Sequence, residues 1–378
     1  MASFHAELAN QSTQTEEPPT SGVLTGQLTY WPGDDTKQRR LEFVDTRLTS
    51  DTATGVCNAQ AAENLNAPAD LPEPGKDDIL PIDTLLSYNF DIRCALDTLT
   101  IGTETFADSQ LDLTNENGHT HTTLGVASFL GGSLSGTADI NANKAPVTWH
   151  VVPDLKNVDS QRLMDWTDQR LQWIAPIVLN SSVTLAGNTE DELAQSVRAQ
   201  TDFDGGKGQL NIAKIKEQLL RLATLTRKRE EVESWQDMWN YESFVGNWQI
   251  NGPQHMLEFV LDNMQVQAEG EYDYAKETID LRGEVIIGEA LDSTPFKINP
   301  LLQDTPIPIR CRGPVDDPEC KVDERASKNL IAKALQRNDE SGLRRKIEEK
   351  IDEEVPEQYR EAARNLLDLL GRTLEDDD

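Results

Sequence analysis

Positive charge is scarce in this sequence. Thirty-five Lys and Arg stand against 66 Asp and Glu, a formal net charge of −31 over 378 residues. So acidic a body repels nucleic-acid phosphates and gains no attraction from anionic lipid headgroups. Nucleic acid is therefore excluded as a partner, and any membrane contact is restricted to apolar surface or local basic spots. Long apolar runs are also missing: no stretch approaches the roughly 20 residues that span a bilayer. The first residues, MASFHAELANQSTQTEEPPTSG, contain no apolar h-region and do not read as a signal peptide. Taken literally, that predicts a cytosolic chain.

Histidine and cysteine are few, five and four. His119 and His121 in NGHTHTT share one parity, so they project from one strand face. A metal site needs a third ligand and usually a fourth, and no other His or Cys lies near in sequence. No metal and no cofactor is expected. G-x-S-x-G, H-E-x-x-H and C-x-x-C do not occur. DFDGGKGQL, from Asp202, lacks the phosphate-loop spacing and reads as a turn between a strand and a helix. Asn180 in NSS fits a glycosylation acceptor, which matters only in a eukaryotic secretory path. Asp316/Asp317 and Asp352 to Glu354 are carboxylate clusters without a candidate pocket. The sequence thus offers no catalytic residue, and a non-enzymatic role is expected.

What is present is strand grammar. Residues 1–21 are rich in Ser, Thr, Gln, Glu and Pro and read as disordered. From Val23 apolar and polar residues alternate, and GVLTGQLTYW and RLEFVDTRLTS read as short strands. Residues 62–79 are polar and Pro-rich, a loop or linker. Between residues 78 and 152, Phe90, Ile92, Cys94 and Leu96, then Leu111 and Leu113, Leu124 and Val126, and Val147, Trp149 and Val151 alternate in short runs. Gly and Asn turns separate them. This is an antiparallel meander with one apolar face, and residues 22–158 form its first part.

The period then changes. VDSQRLMDWTDQRLQWIAP reads as a helix with an Asp159/Ser160 start and a Pro176 stop; Leu163, Trp166, Arg170 and Trp173 fall at helical spacing. NTEDELAQSVRAQ is a second, short helix with a Thr-x-x-Glu-like opening. A third helix is predicted from Asn211 to Trp239, with Ile215, Leu219, Leu222 and Leu225 as its stripe. Residues 159–240 are accordingly expected to be a helical insert. Strand alternation returns over residues 241–323, including Trp248, Phe259, Ile279, Leu281 and Val285, and ends in a hairpin. Residues 324–378 read as a charged helical tail, with Leu343, Ile347, Ile351 and Val355 recurring every four residues.

The fold class expected is mainly β, with a helical insert and a helical C-terminal tail. The helices are too few to cover ten or more strands. Either a second sheet closes the core, or the sheet curls and leaves its apolar face available. Phe90, Ile92, Leu96, Val126, Trp149, Trp248, Phe259, Ile279, Leu281 and Val285 are then either ordinary core or the lining of an acyl-chain groove. Periodicity alone does not decide between these.

Cys311 and Cys320 flank a turn in IPIRCRGPVDDPECKVD. A hairpin brings them within bonding reach if their Cβ atoms face each other. Buried free thiols or half a metal site are the alternatives. Cys57 and Cys94 would close a longer loop between two strands. An even number of cysteines, one pair at hairpin spacing, argues against the cytosol.

Four segments, in order, resemble the C-terminal part of AsmA-family proteins. They are the run from ILPIDTLLSYNFDIRCALDTLTIGTETF through VTWHVVPDLKNVD, then SSVTLAGNTEDELAQSVRAQTDFDGGKGQLNIAKIKEQLLRLA, then VGNWQINGPQHMLEFVLDNMQVQAEGEYDYAKETIDLRGEVI, then IPIRCRGPVDDPECKVD. Together they cover roughly residues 78–375. The resemblance implies a Gram-negative envelope protein that lies in the periplasm and is anchored in the inner membrane by an N-terminal helix; on that expectation the anchor is missing here and the chain is a fragment. It implies a curled antiparallel sheet forming an elongated apolar groove. The implied role is phospholipid transport between the membranes, with phospholipid as partner and no cofactor. The alternative is an interaction protein that supports outer-membrane assembly, meeting assembly factors through its helical tail. It also places both cysteine pairs where disulfides persist.

Overall fold

The computed structural model describes residues 2–9, 21–33, 38–169, 171–213, 216, 236–289, 304, 306–315 and 318–322. Its chain order is β1 (Ala2–Ala9), β2 (Ser21–Trp31), β3 (Arg40–Ser50), β4 (Ala53–Glu63), α1 (Ile82–Ser87), β5 (Tyr88–Ile101), β6 (Glu104–Glu116), β7 (His119–Phe129), β8 (Gly132–Asn141) and β9 (Thr148–Asp159). Then come α2 (Ser160–Trp166), β10 (Trp173–Ile174), β11 (Pro176–Ala186), α3 (Glu190–Ser196), β12 (Arg198–Asp204), β13 (Gly208–Asn211) and β14 (Met238–Tyr241). β15 (Phe244–Asn251), β16 (Gln254–Leu261), β17 (Met264–Asp273), β18 (Thr278–Ile287), β19 (Ile307–Pro314) and β20 (Glu319–Val322) complete it.

Among the described residues seventeen strands make one sheet, and β10, β13 and β14 make a small second one. The large sheet is antiparallel throughout. It follows chain order from β1 to β9, passes to β11 and β12, and runs on from β15 to β20. At ~4.8 Å per strand the stack measures roughly 75–80 Å along its curve. Two-residue turns connect many neighbours. Asn117 and Gly118 both have positive φ (52° and 75°), the backbone that a tight hairpin between β6 and β7 requires. Within strands, Asp45, Asp108 and Asn157 also take positive φ. The ladders slip between Phe43 and Thr46 and between Val126 and Phe129. Such bulges bend a strand and increase its twist, and they curl the sheet.

Four expectations are corrected. Residues 2–9 are not disordered: they form β1, paired along its length with β2. The polar composition of residues 1–21 as a whole hides the alternation of Ala2, Phe4, Ala6 and Leu8 along this strand. The helical insert is mostly strand, since between 159 and 240 the described residues hold two seven-residue helices and five strands. α2 starts at the expected Asp159 cap, whose side chain accepts from the Arg162 N–H, but it stops at Trp166. Asp168 turns left-handed (φ 55°) and Trp173 begins β10. The Asp202–Leu210 turn connects two strands, β12 and β13, not a strand and a helix. α3 has the reciprocal capping box between Thr189 and Glu192 that its sequence predicts. The third helix beyond its first residues and the tail over 324–378 lie outside the described residues.

The main core lies toward the end of the sheet where β5 turns into β6, called the lower end here. There Phe106, Phe129, Val158, Ile177, Leu261 and Ile287 from the large sheet meet Trp173, Leu210, Trp239 and Tyr241 of the small one. Ser160, fully buried, donates to the Trp173 carbonyl (2.6 Å) and accepts from the Ala175 N–H (2.8 Å), which pins α2 to β10. The Trp173 indole N–H donates to the Tyr241 hydroxyl (2.6 Å), which donates to the Gly205 carbonyl (3.2 Å). A second cluster sits at the upper end, where Leu85 and Leu86 of α1 pack with Ala142 and Phe90.

Candidate functional site

In an antiparallel sheet, residues directly opposite one another share a face, so the register decides what lies beside what. One row runs Gly55, Leu96, Ser109, Val126, Leu134, Leu155, Leu179, Phe203, Gly246, Phe259, Val266, Val285 and Ile307 across thirteen strands. It is almost wholly apolar. A row on the other face runs Ser182, Gln200, Gln249, Met256, Glu269, Arg282 and Arg310, and is almost wholly polar. All ten residues singled out by alternation fall on the apolar face. Four join a packed cluster: Val126, Phe259 and Val285 at the lower end, Phe90 at the upper. Among the described residues, the other six (Ile92, Leu96, Trp149, Trp248, Ile279 and Leu281) belong to neither cluster. Five of these are half-buried, and Trp248 is 41% exposed.

Both cysteine pairs are bonded, and both bonds lie on this same face. Cys57 and Cys94 are direct partners on β4 and β5, with Cα atoms 4.1 Å apart. Cys311 and Cys320 are partners on β19 and β20, 3.9 Å apart. The register thus settles the open alternatives for Cys311 and Cys320.

Two concavities are built from other residues, and neither is lined by any of the ten. One, about 930 Å³, opens on the polar face over β11 to β19, with Gln200, Gln249, Gln254, Glu269, Arg282 and Arg310 among its walls. The other, about 410 Å³, lies at the upper end between the loop before α1 and the β8–β9 turn, beside Pro72, Ile82, Leu86 and Val147. Among the described residues no group of three His, Cys, Asp or Glu could hold a metal. His121 instead faces Asp139 across β7 and β8 (2.7 Å).

Sequence reasoning missed one constellation. At the upper end of β15 to β17, four rings gather: Trp248, His255, Tyr272 and Tyr274. Ring centres lie 5.6 Å apart for Trp248–His255, 5.6 Å for His255–Tyr272 and 4.6 Å for Tyr272–Tyr274. The Tyr274 hydroxyl donates to the Gly252 carbonyl (3.1 Å) and sits 3.2 Å from His255 Nε2. Burial holds the His255 pKa below its ordinary value. Burial, and then the Glu277 charge, raise that of Tyr272. Tyr272 and Tyr274 share a strand parity in QAEGEYDY, but only the register brings Trp248 and His255 to them.

No family model, no curated protein and no solved structure matches the chain. No described helix is long and apolar enough to cross a membrane.

Proposed function

We propose that the protein is a non-enzymatic lipid carrier of the bacterial envelope, whose curled sheet shelters phospholipid acyl chains along its apolar face. The observation behind this reading is the set of six apolar residues, spread from β5 to β18 on one face, that among the described residues join neither packed cluster. An acyl chain moved through water exposes about 0.8 kcal/mol of apolar surface per CH₂. A wall of half-buried Ile, Leu and Trp offsets that cost without any polar recognition. The resemblance to the AsmA family points the same way, toward phospholipid passing between inner and outer membranes. Two disulfides suit the periplasm, where they persist.

The test is direct. Protein purified from a Gram-negative periplasm should carry phospholipid detectable by native mass spectrometry. It should also take up a fluorescent phospholipid from vesicles. Paired Ile92→Glu and Leu281→Glu changes, at half-exposed positions, should cut uptake several-fold and leave the circular dichroism unchanged. A lipid-free protein that takes up no phospholipid would sink the proposal.

A further inference from the structure

We infer that the ring cluster of Trp248, His255, Tyr272 and Tyr274 is a subsite for an ammonium cation, and that on a bound phospholipid it holds an amine-bearing headgroup. The inference rests on the acyl-chain reading above for its lipid source, but not for its chemistry. Ring faces attract cations through their quadrupole, Trp most strongly. Here the most exposed ring is an indole: Trp248 is 41% exposed. His255 adjoins it at 5.6 Å, and Tyr272 and Tyr274 extend the cluster from His255 at 5.6 and 6.2 Å, 4.6 Å from each other.

Charge agrees. Glu277 is exposed in the turn after β17, and its charge acts on Tyr272. Among the described residues no cation pairs with the Glu277 carboxylate, whereas Lys276 in the same turn is held by Asp273 (2.5 Å). His255, desolvated, favours its neutral form and does not repel a cation. Arg282 and Arg310 of the neighbouring strands project to the polar face. The chain as a whole, at −31, attracts cations and repels anionic headgroups.

Position agrees as well. Trp248, His255 and Tyr272 lie on the apolar face. His255 is opposite Ile250 and Gly270, and Tyr272 is opposite Ile279. From His255 to Leu261, at the lower core, is six residues of strand, about 20 Å. Leu257 and Phe259 lie between them on the same face. Leu257, Ile279 and Leu281, outside the packed clusters, give the part of the chains nearest the rings an apolar wall, and the covered Phe259 and Leu261 close it below.

The experiment uses the full chain with two probes. Phosphocholine, with glycerol phosphate as the anionic control, is titrated by calorimetry and by Trp fluorescence. Uptake from vesicles is compared for phosphatidylethanolamine, phosphatidylcholine and phosphatidylglycerol of identical chains. Phosphocholine should bind and glycerol phosphate should not. Trp248→Ala should weaken phosphocholine about tenfold, and Trp248→Phe should recover part of it. The wild type should prefer amine lipids several-fold, and Trp248→Ala should erase the preference, read as the ratio of uptake among the three lipids rather than as total uptake. Equal uptake of all three lipids, or phosphocholine binding unmoved by Trp248→Ala, overturns the subsite and leaves the acyl-chain reading standing. Phosphocholine binding without uptake of any lipid would instead support the ammonium subsite with a soluble amine as its source.

Discussion

From β5 to β11 the described residues cover the apolar face at both ends; from β15 to β18 they cover only the lower one. In the first stretch α1 closes the top with Leu85 and Leu86, and α2 closes the bottom, where the Trp166 ring stands edge-on to Phe106 and Phe129 at 5.9 and 5.8 Å. In the second stretch the small sheet fills the bottom: its Trp173 packs on Phe203 and Phe244 of the large sheet, and Phe244 packs on Phe259. The top ends in Trp248 and the tyrosines. The alternation of the two stretches is equivalent. Alternation therefore says which face is apolar, and elements outside the sheet decide whether that face is core or available surface.

The largest expected effects test this contrast. Phe106 is 2% exposed and stacks on Phe129 at 4.9 Å. Phe106→Ala should cost about 3–5 kcal/mol in urea denaturation, since it removes a large ring and leaves a cavity. Trp248→Ala removes a larger ring but should cost under about 1 kcal/mol, because the site is already open to water. A Trp248→Ala cost equal to that of Phe106→Ala would mean the second stretch is covered after all. The disulfides follow. Cys57–Cys94 spans 37 residues and Cys311–Cys320 spans 9. On the chain-entropy model, replacing both cysteines by Ser should cost about 4 kcal/mol for the first bond and about 2.5 kcal/mol for the second. Denaturation midpoints at equal m would check the order.

Much of this was legible in the sequence. FDIRCAL and DLRGEV alternate cleanly, and the face they predict is the face observed. Asp159 and Thr189 marked real helix starts. The misreadings have physical causes. β10, β13 and β14 hold only two to four residues each, too few to show a period. Trp166 and Trp173 fall at helical spacing, yet one packs from a helix and the other from a strand of the small sheet. Nothing local shows that Ala2–Ala9 pairs with β2. The ring cluster joins positions 248, 255, 272 and 274, which only a correct register can assemble.

A smaller change tests how the first stretch is closed. Asn188, after β11, accepts from the Leu80 N–H (3.0 Å) and donates to the Leu80 carbonyl (3.0 Å). Its own carbonyl accepts from the Ile79 N–H (2.8 Å). This hooks the segment leading into α1 across to β11. Asn188→Ala removes the two side-chain bonds and should cost about 1–2 kcal/mol. Hydrogen exchange should speed up over Ile79–Ser87 and stay unchanged in β15–β18. Equal acceleration in both stretches would show that the hook supports the whole sheet and not only its upper closure.

The smallest effect belongs to the open stretch and depends on pH. Burial disfavours the charged form of His255, so its folded pKa lies below the usual 6.5, with the Gly252 backbone opposing the shift only in part. The unfolded chain therefore takes up this proton first as pH falls. The contribution of His255 to stability is complete above pH 6.5 and is lost as pH drops from there through the folded pKa. Other groups also titrate, so the comparison is with His255→Phe, which keeps a ring at the site but cannot be protonated. The stability gap between variant and wild type should be constant from pH 8 to 7 and should shift in favour of the variant below pH 6.5. A gap that does not change with pH would mean the imidazole is as well hydrated folded as unfolded. The upper end of β15–β17 would then be more open than its ring contacts indicate.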